Sequence, residues 1–251
     1  MFITSKDFLS LYERPNSGKR SLNKIKHLLP FELNKHVASV VSYVTFDGHL
    51  SNDYLQLYLS SKDKKTLRDF SNLLENKFKM KGKLEKRIEG FGESYKLRMF
   101  NGPFCRLIKL SGAPAGKKVI VLFDVPKWIR ENKESSRNYL RIAFDCEGCV
   151  WRDPDGYPRI RFAMNKSLNL LEDGKKFIQS MKDMLGEFDI KTTKTWERGG
   201  YSNGIIPTKS LCFSIKTRSI KKFSEQIGFN IERKQKLLKE IVESDVMGRF
   251  D

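Results

Sequence analysis

Apolar positions along this chain follow two periods, helical and alternating, and the periods succeed each other in the same order twice. Val37, Val40, Val41 and Val44 recur at helical spacing, which predicts a helix over Glu32–Phe46 even though β-branched residues are poor helix formers. The pattern breaks at Asp47-Gly48. A short strand at His49–Ser51, a turn at Asn52-Asp53 and a strand at Tyr54–Ser60 follow. In that strand Leu55, Leu57 and Leu59 face one way and Tyr54, Gln56, Tyr58 and Ser60 the other. Leu67, Phe70, Leu73, Leu74 and Phe78 give an amphipathic helix over Thr66–Lys79. Lys83–Glu89 and Tyr95–Phe100 read as a hairpin around Gly90–Gly92, and Pro103 suits the first turn of a helix to Leu110.

The same succession returns in the second half. Ser135–Cys146 reads as a helix, and Cys149–Arg152 and Arg159–Met164 as strands about a turn at Asp153–Gly156. Leu168–Met184 is a helix, Ile190–Glu197 and Ser210–Lys216 are strands around a Gly/Ser/Asn loop, and Ile220–Ile227 and Glu232–Val242 are closing helices. Leu67, Leu73 and Leu74 correspond to Leu171, Phe177 and Ile178 at an offset of 104. Leu97, Met99, Leu107, Gly112 and Lys118 correspond to Phe213, Ile215, Phe223, Gly228 and Lys234 at 116. Two similar units are therefore expected rather than a solenoid of short repeats. The division is 1–31 as an N-terminal extension, 32–118 as the first unit, 119–133 as a linker and 134–251 as the second unit. Within the extension, 14–20 reads as a turn-rich basic loop and Ser21–Leu29 as a short helix.

The first helix of each unit ends in an acid and a glycine: Asp47-Gly48 and, 100 residues on, Glu147-Gly148. Glycine is a normal helix stop because it takes the left-handed conformation freely. A carboxylate beside that stop is less ordinary, since it lies at the negative end of the helix dipole. Two such endings in matched contexts point to carboxylates kept for a cation.

Charge narrows the partner. Lys and Arg number 48 against 30 Asp and Glu, a formal net charge of +18, which points to a polyanion. No window resembles a transmembrane span, and the start lacks the features of a signal peptide. Cys105, Cys146, Cys149 and Cys212 form no disulfide framework, so a reducing, intracellular setting is expected, cytoplasmic or organellar. Cys146-x-x-Cys149 lacks the second ligand pair of a zinc site, and His27, His36 and His49 share no ligand spacing.

LRIAFDCEG at 140–148, echoed more weakly by VVSYVTFDG at 40–48, resembles the repeated motif of the LAGLIDADG homing endonucleases in their single-chain, two-repeat form. The resemblance covers roughly residues 32–245. It implies an α+β fold of two pseudo-symmetric αββαββα repeats, with saddle-shaped antiparallel sheets and a central pair of motif helices. It implies a monomer that cuts double-stranded DNA at a long asymmetric site and leaves short 3′ overhangs; whether it is intron-encoded, intein-derived or free-standing stays open in the sequence. Asp47 and Glu147 would be catalytic ligands of Mg2+ or Mn2+, one acid per strand. Lys62 and Lys166, at the ends of the second strands, would stabilise charge in the transition state; as bland a reading is that they begin helices. Ser42 and Cys146 fit the small residues of a close helix pair, whereas Phe46 and Ile142 depart from that pattern.

On such a fold the basic strand residues would line the DNA side. These are Lys83, Lys86, Arg87, Lys96 and Arg98 in the first half and Arg159, Arg161, Lys191, Lys194 and Arg198 in the second, with Gln56, Tyr58 and Ser60 beside them. Charges on strands are ordinarily only a solvated face, and a one-residue slip of Arg159–Met164 would reverse its sides. Asp145 reads as a third carboxylate or, better, as a helix-end hydrogen-bonding group. The alternatives to a nuclease are an RNA-splicing maturase, with intron RNA as partner, or a catalytically inactive DNA-binding regulator. An intein is disfavoured by a start at Met1-Phe2 and an end at Arg249-Phe250-Asp251, which lack splicing nucleophiles.

Overall fold

The computed structural model describes residues 1–89, 92–199 and 206–244, with the backbone alone for 87–89 and 92. The chain divides into two units, Met1–Lys117 and Lys118–Asp251. The N-terminal residues, expected as an extension, fold into the first unit. β1 (Phe2–Ile3) pairs with β2 (Phe31–Glu32). Thr4 and Asp7 form a capping box on α1 (Ser5–Leu9), and Pro15 takes the first turn of α2 (Pro15–Ile25). Most of the expected loop at 14–20 is therefore helical, because proline is preorganised for that position. Phe8 and Ile25 are fully buried.

Helix α3 (Lys35–Thr45) starts later than its valine pattern suggested. Asn34 is its cap, with Oδ1 accepting from the amides of His36 at 3.0 Å and Val37 at 3.3 Å. Every residue from Val37 to Thr45 is buried, the signature of a helix that runs through an interior. β3 (Gly48–Leu50), β4 (Gln56–Ser61), α4 (Lys64–Phe78), β5 (Lys83–Glu89), β6 (Gly92–Phe100) and α5 (Gly102–Leu110) complete the unit. The antiparallel sheet runs β3-β4-β6-β5, and Leu57, Leu59, Leu97 and Met99 turn inward. Leu55 does not join them. Tyr54 turns the chain at φ +56°, and the Ser51 hydroxyl accepts from the Leu55 and Gln56 amides, which leaves Leu55 in the turn and 53% exposed. Residues 90–91 of the expected hairpin tip at Gly90–Gly92, and the Arg87 side chain, lie outside the described residues.

The second unit repeats this plan with α6 (Lys127–Arg130) before α7 (Lys133–Glu147), β7 (Gly148–Arg152), β8 (Pro158–Ser167), α8 (Leu171–Gly186), β9 (Trp196–Gly199), β10 (Thr208–Ser214), α9 (Ile220–Gln226) and α10 (Glu232–Glu243). Its sheet runs β7-β8-β10-β9. Phe144 of α7 sits among Phe162, Phe213 and Phe223, with ring centroids 5.6, 6.1 and 4.9 Å away. β9 is shorter than the strand expected from Ile190. Asp189 turns at φ +57°, and the Ile190 amide folds back onto the Leu185 carbonyl at 3.1 Å. The Gly/Ser/Asn loop at 200–205 lies outside the described residues. No helix among those described is long and apolar enough to cross a membrane.

Strand pairing gives the correspondence between units more securely than sequence alone. Gly48 lies opposite Leu59, and Gly148 opposite Phe162, so β4 and β8 correspond at an offset of 103. Phe70, Leu74 and Phe78 match Phe177, Met181 and Leu185 at 107, all buried. A 3-10 turn at Leu168–Leu170 precedes α8 and accounts for the step. Leu97 and Phe213 then correspond at 116, as expected. The uniform 104 for strand end and helix is thus corrected: Lys62 corresponds to Asn165, not to Lys166.

Candidate acid sites and nucleic-acid interface

In the first unit α3 closes with the Thr45 hydroxyl donating to the Val41 carbonyl at 2.7 Å, and the Phe46 amide to that of Ser42 at 3.0 Å. Asp47 follows in the turn and is exposed. In the second unit Glu147 is the last helical residue and half-buried. Neither glycine is a left-handed stop. Gly148 is extended at φ −87°, ψ 148°, and Gly48 is absent from the glycines with positive φ. Close approach requires them instead. A Cβ on Gly48 would meet the Tyr43 oxygen at 2.7 Å and the Tyr58 oxygen at 3.0 Å; one on Gly148 would meet the Phe144 oxygen at 2.5 Å.

The end of α7 is held from downstream. Asp145, 4% exposed, accepts from the Asn230 amide at 3.0 Å, the Asn230 side chain at 2.8 Å and the Ile231 amide at 3.2 Å. Burial pushes its carboxyl up to about 6 against those bonds. Lys234, 7% exposed, donates to the carbonyls of Phe144 at 3.1 Å, Asp145 at 2.6 Å and Gly148 at 2.5 Å. Burial lowers its pKa while the Asp145 charge raises it. A cation thus meets the negative end of the helix. Asp145 is a helix-end anchor, as its better reading had it. Phe46 and Ile142, the departures from small residues, are both 4% exposed. Cys146 and Cys149, on either side of Glu147 in sequence, are half-buried and form no disulfide. Among the described residues no three His, Cys, Asp or Glu side chains gather into a metal cluster.

Lys166 is not the transition-state group its sequence position suggested. It lies on the inward face of β8, 1% exposed, and its Nζ donates to the carbonyls of Lys118 and Val121, each at 2.7 Å. The ring of Phe123 lies 3.9 Å away, and burial lowers the pKa to about 8. Its ammonium secures the segment before α6. Lys62, just past the end of β4, is exposed.

Strand register sorts the basic residues. Tyr58 lies opposite Arg98, Ser60 opposite Lys96 and Lys83 opposite Arg98, so these share the open face of the first sheet with Gln56. Lys96 is only 8% exposed, its ammonium 4.1 Å over the Tyr58 ring, and His49 stacks on that ring at 4.9 Å. Glu85 lies 3.7 Å from Arg98. Lys86 is a correction: it pairs across from Tyr95 on the opposite face and forms an ion pair with Glu93. In the second sheet Arg159, Arg161 and Arg198 share the open face with Trp151 and Trp196, which sequence reasoning overlooked although they alternate correctly. Arg161 lies 5.0 Å over Trp151, and Arg159 pairs with Asp153 at 2.8 Å. Lys191 and Lys194 are corrected from the strand to the loop before β9, which touches the sheet at Thr192 and Ile215. Arg98 and Arg161, central on the two faces, each keep a buried Nε without a hydrogen-bond partner among the described residues.

Residues 134–228 match the family model of the LAGLIDADG-like domain. The tRNA-splicing ligase RtcB of Methanopyrus kandleri is 28% identical over 219 residues, 80% of this chain but 21% of that protein. The DNA-directed RNA polymerase subunit Rpo1C of Methanocaldococcus jannaschii is 27% identical over 155 residues, 62% of this chain and 15% of that protein. The chain therefore spans only about a fifth of these relatives or less. Among solved structures, the fold is shared with I-DmoI in complex with DNA and Ca (TM-score 0.52, 13% identity, 82% of this chain and 97% of that one). It is shared with the homing endonuclease I-WcaI bound to its DNA recognition sequence (0.51, 13%, 94% and 98%). It is shared also with full-length DUF199/WhiA from Thermatoga maritima (0.51, 15%, 88% and 65%). Residues 134–228 thus match a LAGLIDADG-like domain, and the chain as a whole shares its two-unit fold with these endonuclease structures.

Proposed function

We propose that the chain is a site-specific DNA endonuclease that hydrolyses one phosphodiester on each strand, Asp47 serving one strand and Glu147 the other. The observation that carries this is the acid–glycine junction occurring at matched positions in two units, each joining a motif helix to a sheet with a basic open face. A pure binding module has no need to keep both acids. The named neighbours bound to DNA, with Ca or Mn in two structures, support the same reading.

The donor set fits a hard divalent ion such as Mg2+. A single carboxylate per site suffices where phosphate oxygens and water complete the coordination. When bound, the ion would neutralise phosphate charge and acidify a water molecule. Asp47 and Glu147 would hold it; Lys62 would face the phosphate; Gln56, Tyr58, Ser60, Lys83, Arg98, Arg159, Arg161 and Arg198 would read and bind the duplex. The product would carry short 3′ overhangs, and one chain would suffice. Ligation and RNA synthesis are not carried over from the curated relatives. A region similar to this chain inside two unrelated enzymes reads as an inserted module.

A randomised-library cleavage assay with Mg2+ finds the site. On that site Asp47→Asn and Glu147→Gln each lower double-strand cutting roughly 100-fold or more, while gel-shift affinity holds. Single variants that linearise the target plasmid at the parental rate would sink the proposal. Tight binding without cutting by the parental chain would turn it into a binding module.

A further inference from the structure

The hold on the end of α7 has a geometry beyond simple stabilisation. The last carbonyls of a helix lack intrahelical N–H donors, although that of Phe144 accepts here from the Gly148 amide. Lys234 meets two from that last turn, Phe144 and Asp145, and a third from Gly148, the first residue of β7. Glu147 lies between the second and third. An ammonium has three donors, and all three are used here. The connection from α9 to α10 is tied to the same turn in the opposite sense, with Asn230 and Ile231 donating to the Asp145 carboxylate. Gln235 in turn accepts from the Phe229 amide at 2.7 Å and steadies that connection.

We propose that Lys234 is a positioning residue for Glu147: by clamping the backbone on both sides, it fixes the direction in which that carboxylate leaves the helix. The consequence for cutting rests on the nuclease reading; the clamp itself does not. A packing role alone would loosen the unit as a whole. A positioning role loosens this turn and handicaps one strand.

The test is Lys234→Met in the full chain, which keeps the stem and removes the donors. Amide hydrogen exchange, without metal or DNA, should quicken about 10-fold over 144–149 and stay unchanged over 44–49. With Mg2+ and a strand-labelled target, the strand whose cutting Glu147→Gln abolishes should slow roughly 10- to 100-fold. The other strand should change less than about 2-fold, so nicked circles accumulate. Lys166→Met, which removes the other carbonyl-gripping lysine described above for this unit, should show no strand bias. Equal slowing of both strands, or unchanged exchange over 144–149, would overturn the proposal. If Lys234→Met does not fold, Asn230→Ala removes one tie from the same turn and should move both readouts the same way by less; no movement there also overturns it. If the parental chain cuts nothing, the nuclease reading fails while the exchange result still decides the clamp.

Discussion

The two acid–glycine junctions look alike in sequence and are built differently. The first follows an 11-residue helix whose residues from Val37 onward are all buried, so packing on every side fixes it. The second follows a longer helix, Lys133–Glu147, and carries a buried carboxylate at Asp145 and a buried ammonium at Lys234 within its last turn. At the position of Asp145 the first unit has Thr45, whose hydroxyl turns back on its own helix. The second ending is thus tied by polar groups from some 90 residues downstream, while the helix before the first is packed on all its faces. Buried polar networks specify geometry tightly when satisfied and fail sharply when one member is lost. The second junction should therefore be sensitive to single polar changes, and both to changes of volume.

The glycines offer the largest test of that contrast. Gly48→Ala places a Cβ against backbone of both the motif helix and β4, at Tyr43, Val44 and Tyr58. Gly148→Ala meets Phe144 closer still, its carbonyl oxygen at 2.5 Å, its ring edge at 2.8 Å and its Cα at 2.9 Å. Backbone cannot move aside as a side chain can. Both substitutions should destabilise by about 1–3 kcal/mol, with Gly148→Ala at least as severe, as read by urea unfolding of the full chain. An Ala at 48 that left stability unchanged would break the account of the first junction as fixed by close packing.

Much of this architecture was legible because it is local. The valine period, the alternation of β4 and the acid–glycine pair are each contained within a dozen residues. What escaped was set by contacts across the chain. Lys166 looked like the partner of Lys62 at 104; only the pairing of Gly148 with Phe162 shows that Asn165 holds that place. Lys86 carries the right charge on the wrong parity of its strand. The strand expected from Ile190 lost its first residues to a tight turn at Asp189, a conformation unusual for a non-glycine residue. Lys234 was noted only as a repeat position, since nothing nearby in sequence marks a lysine whose ammonium reaches the end of another helix. The two tryptophans on the second open face were readable by alternation and were passed over in favour of charges.

A comparison within the second unit sets its two buried ammonium groups side by side. Lys234 faces three carbonyls with Asp145 close by, whereas Lys166 faces two carbonyls and the ring of Phe123. Burial lowers the pKa of Lys166 from 10.5 to about 8. Below about pH 8 it is charged in both folded and unfolded chains, and the cost of burying that charge is fully present. Between pH 8 and 10.5 the folded chain releases the proton first, so the unfolded chain binds more protons and stability rises with pH. The neutral amine still has two N–H groups for the two carbonyls, so the segment before α6 stays held. Urea unfolding of the parental chain and Lys166→Met across pH 7.5–10.5 should therefore show the difference moving in favour of the parental chain, by about 1–3 kcal/mol at the upper end. A flat difference would mean that the carbonyls and the ring offset desolvation completely and that the group stays charged. In that case Lys166 would resemble Lys234 in kind, and the second unit would hold two fixed cations rather than one cation and one amine.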